Sequence, residues 1–122
     1  MNKSTWIQHN GKNIRFTDFS GLKGDEFTAA INDSTSADVV EFSSLKNIKS
    51  LILIDYTGSV ISSEAAQALR ASGARTTAYV SKIAVIGITG VKQVLLNMAN
   101  RITGNKMTAF DTKEAALEWL IL

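Results

Sequence analysis

The chain has 122 residues, of which 45% are apolar and 20% are charged. These values are typical of one globular domain and argue against disorder, so we expect residues 1–122 to form a single domain. Cysteine is absent and histidine occurs once, which excludes disulfides, thiolate nucleophiles and Cys- or His-rich metal sites. The net charge is only +2 and the basic residues are scattered, so we expect no nucleic-acid partner.

Two signals bear on where the protein resides. The N-terminal segment lacks the apolar stretch of a secretory signal peptide. The longest apolar runs, residues 51–54 and 83–86, are far too short to span a bilayer. We therefore expect a cytoplasmic protein.

The chain opens with two short β-type segments, residues 5–9 and 13–18. They flank an Asn10-Gly11 pair, which is a strong signal for a β-hairpin. Along the second segment apolar and polar residues alternate, so one face of that strand should be buried. We predict an antiparallel hairpin.

Residues 25–44 carry a helical pattern that begins at a predicted N-cap, Asp25. Turn-forming residues at 32–36 interrupt the pattern. One interrupted helix and two short helices both fit this segment.

Residues 50–56 form a nearly continuous apolar run, which is typical of a strand buried on both faces of a parallel sheet. The next helix is predicted to open at residues 62–64 and to end before Gly73. Residues 76–80 and 83–88 are again β-type, and they fit either one long bent strand or a strand and a turn.

The Thr89-Gly90 pair is predicted to cap an amphipathic helix that ends at Gly104. The apolar residues predicted to face the core are Val91, Val94, Leu95, Met98 and Ile102. A short strand is predicted at residues 107–110.

The last helix is predicted from Asp111 as N-cap and Glu114 three positions later, the arrangement of a capping box. Ala116, Trp119 and Leu120 should face inward. The resulting order, β-β-α-β-α-β-α-β-α, predicts an α/β fold with a largely parallel sheet and an antiparallel edge.

Two segments of the second half are typical of a known family: residues 79–90 (YVSKIAVIGITG) and residues 110–120 (FDTKEAALEWL). The sequence resembles the SpoIIAA-like group of STAS domains (sulfate transporter and anti-sigma-factor antagonist), many of which are bacterial proteins of unknown role. The resemblance covers about residues 13–120 and is strongest over 50–120. It implies a mixed sheet, preceded by a β-hairpin, with about four helices packed on it.

In STAS antagonists the phosphoacceptor Ser or Thr lies just after the third core strand, at a helix N-terminus. The matching stretch here is residues 55–59 (DYTGS), in which Tyr56 stands where a small residue is usual. The resemblance implies Thr57 or Ser59 as candidate phosphoacceptor. The alternative is that residues 57–59 form only a turn.

Ligands of open α/β sheets bind near the carboxyl ends of the strands. We therefore expect one candidate binding edge for a ligand or partner, formed by Asp55, Tyr56, Gly58, Lys82, Thr89 and Gly90. For Thr89 the alternative role is helix capping, and for Lys82 it is that of a solvated edge residue.

Three functions remain open at this point. A regulatory module that binds a protein partner, under Ser/Thr phosphorylation, follows from the STAS resemblance. A carrier of a small molecule or lipid follows from the likeness of that fold to Sec14-type domains. An enzyme is disfavoured because no catalytic or cofactor-binding motif is present, so we expect no cofactor and no metal. A homodimer contact through the apolar C-terminal residues is an open alternative.

Overall fold

The computed structural model describes residues 1–104 and 106–122, and it describes no side chain for residues 91, 95, 98, 99, 102 and 103. The described residues form five strands and four α-helices. Two strands come first, and helices and strands then alternate: β1 (Ser4–His9), β2 (Lys12–Asp18), α1 (Gly24–Ser43), β3 (Ser50–Asp55), α2 (Ser63–Thr76), β4 (Val80–Ile86), α3 (Val91–Thr103), β5 (Met107–Phe110) and α4 (Lys113–Leu120).

One sheet contains the strands in the order β1-β2-β3-β4-β5. The β1–β2 hairpin is antiparallel and every other pairing is parallel, which confirms the predicted mixed sheet. Each of the three crossovers between β2 and β5 connects a strand to its immediate neighbour, and all three run in the same direction across the sheet. Right-handed crossovers therefore place α1, α2 and α3 on the same face.

Each face of the sheet has its own apolar core. Beneath α1, α2 and α3 the buried side chains include Phe27, Phe42, Ile52, Ile83 and Val85. On the opposite face α4 packs on β3, β4 and β5, and the buried residues there are Ile14, Leu53, Ala84, Ile86, Ala116 and Leu120. Strands β3 and β4 are buried on both faces, as their near-continuous apolar runs predict.

Helix α1 is continuous through the turn-forming residues 32–36. Ser34 and Thr35 are buried there, and both hydroxyls have partners: Ser34 Oγ accepts from the Lys3 N–H at 2.8 Å, and the Thr35 hydroxyl donates to the Ile31 carbonyl oxygen at 2.6 Å. The predicted N-cap is wrong, because Lys23 occupies that position and Asp25 lies in the first turn. Its carboxylate still lies at the favourable end of the helix dipole.

Helix α2 continues past Gly73, so the predicted end is wrong. The Thr76 hydroxyl donates to the Ser72 carbonyl oxygen at 2.9 Å, in the last helical turn, and a single 3-10 turn (Thr77–Tyr79) then leads into β4. Of the two alternatives for 76–88, neither fits fully, because the strand begins only at Val80. The predicted start is confirmed, since Ser62 Oγ accepts from the Ala65 N–H at 3.1 Å.

The predicted inward face of α3 is wrong at Val94, which is 60% exposed, whereas Leu96 is buried at 7%. The inward predictions for Val91, Leu95, Met98 and Ile102 lie outside the described side chains. The helix follows Gly90 directly and has no side-chain cap, so Thr89 does not cap it, and it ends at Gly104 as predicted.

The N-cap of α4 is Thr112, whose hydroxyl accepts from the Ala115 N–H at 3.1 Å, so the prediction of Asp111 is wrong by one residue. Ala116 and Leu120 are buried as predicted, while Trp119 is half-buried. No helix in the described part of the chain has both the length and the apolar character needed to cross a membrane.

Candidate ligand cavity and strand-end rim

The loops that follow β3 and β4 lie side by side at the carboxyl edge of the sheet. The Tyr56 N–H donates to the Ile86 carbonyl oxygen at 2.9 Å, and the Asp55 carboxylate accepts from the Thr57 N–H at 2.8 Å. The loop after β2 joins them, because the Gly21 N–H donates to the Thr57 carbonyl oxygen at 2.8 Å. We call residues 55–59 and 87–90 the rim.

Gly87 is the point of closest approach between the two rim loops. Its φ of +79° favours glycine, and a Cβ atom at this position would lie 2.3 Å from the Thr57 backbone nitrogen. A side chain at residue 87 would therefore push the rim loops apart.

The predicted phosphoacceptors differ in accessibility. Thr57 is exposed, whereas Ser59 is only 4% exposed and its hydroxyl donates to the Tyr56 carbonyl oxygen at 2.7 Å. Helix α2 begins at Ser63, so Thr57 precedes its first turn by several residues. Of the two, only Thr57 is placed where a modifying enzyme could reach it.

The remaining predicted site residues do not all come together. Gly58, Thr89 and Gly90 are exposed at the rim, with Asp55 half-buried beside them. Lys82 lies away from the rim, towards the amino end of β4. Its Nζ donates to the carbonyl oxygens of Trp119 and Leu122, at 3.0 and 3.3 Å.

Sequence reasoning missed Lys92, in the first turn of α3. Its half-buried Nζ donates to the carbonyl oxygens of Tyr56 and Gly87, at 3.1 and 3.4 Å, and so connects the two rim loops. The sequence carried a signal for this role, because Lys92 follows Gly90 by two residues and lies in the first turn of a helix that starts at the strand ends.

A cavity of about 100 Å³ lies beneath the rim, between the sheet and helices α1, α2 and α3. Its lining is mostly apolar and includes Phe19, Ile52, Leu69, Ile83, Ile88 and Leu96. Helix α2 presents mainly small side chains to this space: Ala66, Ser72, Gly73 and Thr76. The cavity exists because such small residues do not reach the apolar side chains of the sheet.

Polar residues line one side of the cavity, among them Thr35, Asp38 and Ser72, and each is hydrogen-bonded to another residue. Arg15 and Asp38 are only 3% and 8% exposed, and Arg15 Nε donates to Asp38 Oδ1 at 2.8 Å. Burial raises the pKa of Asp38 above its ordinary value of 3.8, although the hydrogen bond from Arg15 acts in the opposite direction. The hydroxyls of Thr35 and Ser72 join α1 to α2 at 2.7 Å.

Tyr56 links the rim to the cavity, because its backbone belongs to the rim and its side chain lines the cavity. The ring packs on Phe19 with a centroid separation of 6.0 Å. Burial raises the pKa of the Tyr56 hydroxyl, so this group stays protonated and can donate a hydrogen bond. The described residues contain no group of three or more side chains that could together hold a metal ion.

The sheet order, the edge hairpin and the four packed helices define an α/β protein with a SpoIIAA-like fold. The solved structure of an uncharacterized protein from the DUF3478 family with a SpoIIAA-like fold, from Shewanella loihica PV-4, is similar to this chain with a TM-score of 0.74. The likeness covers 96% of this chain and 91% of that one, at 19% sequence identity. It shows the fold, and the predicted SpoIIAA-like architecture is confirmed. No family model and no curated protein matches the sequence.

Proposed function

We propose that the protein is a small-molecule-binding module that holds a mostly apolar ligand between its sheet and helices α1 to α3. The observation that carries this proposal is the cavity of about 100 Å³ with its apolar lining. Apolar clefts with few polar groups are the usual form of small-molecule sites. Binding without chemical conversion is the simplest function that this lining supports.

The cavity volume argues for both a function and a ligand size. Protein interiors are close-packed, and a void costs roughly 24 cal/mol per Å³, so one of this size left unfilled would cost about 2 kcal/mol. An apolar cavity of about 150 Å³ accepts benzene or xenon. The volume therefore suits a small molecule and not the long acyl chain of a lipid.

The cavity also supports a regulatory consequence of binding. Tyr56 and Lys92 both line the cavity, and both belong to the contacts that hold the rim loops together. A ligand that displaces the Lys92 side chain would break these contacts, and one that shifts the Tyr56 ring would shift the rim backbone that carries it. Through this connection we propose that ligand binding controls contact with a protein partner at the rim.

A cavity-filling variant tests the proposal. In Ala66→Leu, three added carbon atoms would occupy the cavity, whereas Ala71→Leu places the same side chain on the exposed face of α2. Cyclopentane, titrated into isotope-labelled protein, should shift the NMR signals of lining residues in the wild type and in Ala71→Leu. The shifts should disappear in Ala66→Leu. Equal binding to all three proteins, or none to the wild type, would contradict the proposal.

A second candidate function rests on the exposure of Thr57 at the rim. Phosphorylation of Thr57 would add a doubly charged group beside the Tyr56 carbonyl that Lys92 holds. We propose that such a modification would control a protein contact there. Intact-mass analysis of protein purified from its native source tests this, because phosphate should be present in the wild type and absent in Thr57→Ala. An unmodified wild type would argue against it.

A further inference from the structure

Among the buried polar residues that line the cavity, Tyr56 is the one whose side chain lacks a hydrogen-bond partner within the described part of the chain. Tyr56 is only 6% exposed, and no described residue forms a hydrogen bond with its hydroxyl. Buried tyrosine hydroxyls normally have a partner, because an unpaired buried donor is costly.

The location of this hydroxyl follows from a second observation. Every fully enclosed side-chain nitrogen or oxygen atom of the described residues has a hydrogen-bond partner. Because the Tyr56 hydroxyl has none, it must touch space that a water-sized molecule can occupy. Tyr56 lines the cavity and is only 6% exposed, and we place this space at the cavity.

We propose that the ligand carries a neutral carbonyl oxygen, as in a small cyclic or branched ketone, that accepts a hydrogen bond from the Tyr56 hydroxyl. The inference rests on the proposed function and adds the chemical class of the ligand. An acceptor is required because the protonated hydroxyl needs an acceptor for its hydrogen.

The other polar groups of the cavity favour a neutral ligand with a single polar atom. Lys92 Nζ already donates to two carbonyl oxygens, and Asp38 is paired with Arg15. The Thr35 and Ser72 hydroxyls are bonded to each other. Arg70 also lines the cavity but is exposed to solvent. A carboxylate would have to leave water for a mostly apolar space whose buried polar groups are already engaged, and this is unfavourable.

A comparison of two ligands and two variants isolates this hydrogen bond. Cyclopentanone and cyclopentane have the same ring and differ by the carbonyl oxygen. Tyr56→Phe removes only the hydroxyl, and Tyr79→Phe makes the same change at a tyrosine that packs on Phe42 and does not line the cavity. Dissociation constants for all pairs would be measured by NMR titration.

We expect Tyr56→Phe to weaken cyclopentanone binding by about 5-fold, the effect of one ordinary hydrogen bond, and to leave cyclopentane binding unchanged. Tyr79→Phe should change neither. An equal loss for both ligands, or no loss for the ketone, would overturn the inference while cavity binding stands. Failure of both ligands to bind the wild type would overturn the proposed function as well.

A second measurement needs no variant. In the wild type, cyclopentanone protons should show nuclear Overhauser contacts to the Tyr56 ring protons. Contacts to Leu69 and Ile83 without any to Tyr56 would place the ketone elsewhere in the cavity and overturn the inference.

Discussion

Single residues of this protein show how polar side chains are kept in an apolar interior. Arg15 and Asp38 lie on β2 and α1, and each is buried because the other is present. Removal of one partner would leave the other charge buried and unpaired, which costs far more than the intact pair contributes. No sequence pattern indicated this pair, because its members are separated by more than twenty residues.

Arg15→Gln should lower the free energy of unfolding at neutral pH by about 3 kcal/mol, because the buried Asp38 carboxylate would lose its charged partner. Urea denaturation measures this difference. Lys12→Gln, at an exposed position of the same strand, is the control and should cost much less. A similar effect of the two substitutions would mean that the pair does not hold the two elements together.

The raised pKa of Asp38 predicts a pH dependence of stability that Asp38→Asn should lack. The pKa of Asp38 is raised above 3.8 in the folded state, so the folded protein binds this proton more tightly than the unfolded chain. The stability from this proton is fully present below pH 3.8 and is lost as the pH rises through the raised pKa. In that window the unfolding free energy of the wild type should fall more steeply with pH than that of Asp38→Asn. Parallel slopes would contradict the raised pKa.

Gly87→Ala tests the contact between the rim loops. A Cβ atom at Gly87 would lie 2.3 Å from the Thr57 nitrogen, whereas one at Gly104, also with positive φ, would meet no atom of the described residues within 4 Å. We expect Gly104→Ala to cost about 1 kcal/mol from backbone strain alone and Gly87→Ala about 3 kcal/mol, as measured by thermal unfolding. Equal costs would mean that the loops are not in close contact.

The solvent exposure of individual rim residues could not be predicted from the sequence. Thr57 and Ser59 look equivalent as phosphoacceptors, yet one is exposed and the other is buried beneath its own loop. Tyr56 departs from the small residue of the resembled motif. The structure shows that its side chain lines a cavity, which the motif comparison could not indicate.

At the scale of the elements, types were more predictable than boundaries. The order of strands and helices followed from periodicity and turn residues, because these are local properties. The continuity of α1 and the length of α2 did not, since Ser34, Thr35 and Thr76 form hydrogen bonds that keep them helical. Local propensity at such positions is overridden by those bonds.

The N-terminus of α4 gives a test of one boundary. Thr112→Ala should cost about 1 kcal/mol of unfolding free energy, because the Ala115 N–H would lose its acceptor. Asp111→Ala should cost less, since Asp111 precedes the cap. The reverse ranking in chemical denaturation would restore the capping box that the sequence suggested.

At the scale of the whole molecule, the topology was predictable and the cavity was not. Alternating strands and helices with short connections permit few arrangements, and the SpoIIAA-like sheet is one of them. The cavity depends on how small residues such as Ala66 and Gly73 of α2 face the sheet across the interior. The small-residue composition of that helix was the available signal, but its meaning required the packed structure.

The central claim is that the cavity accepts a small apolar ligand, and a crystal structure under xenon pressure tests it most directly. Xenon enters apolar cavities of this kind. We predict a xenon atom between Ile52, Leu69 and Ile83, with the rim loops otherwise in place. Crystals with no xenon between the sheet and helices α2 and α3 would contradict the claim that this space binds a ligand.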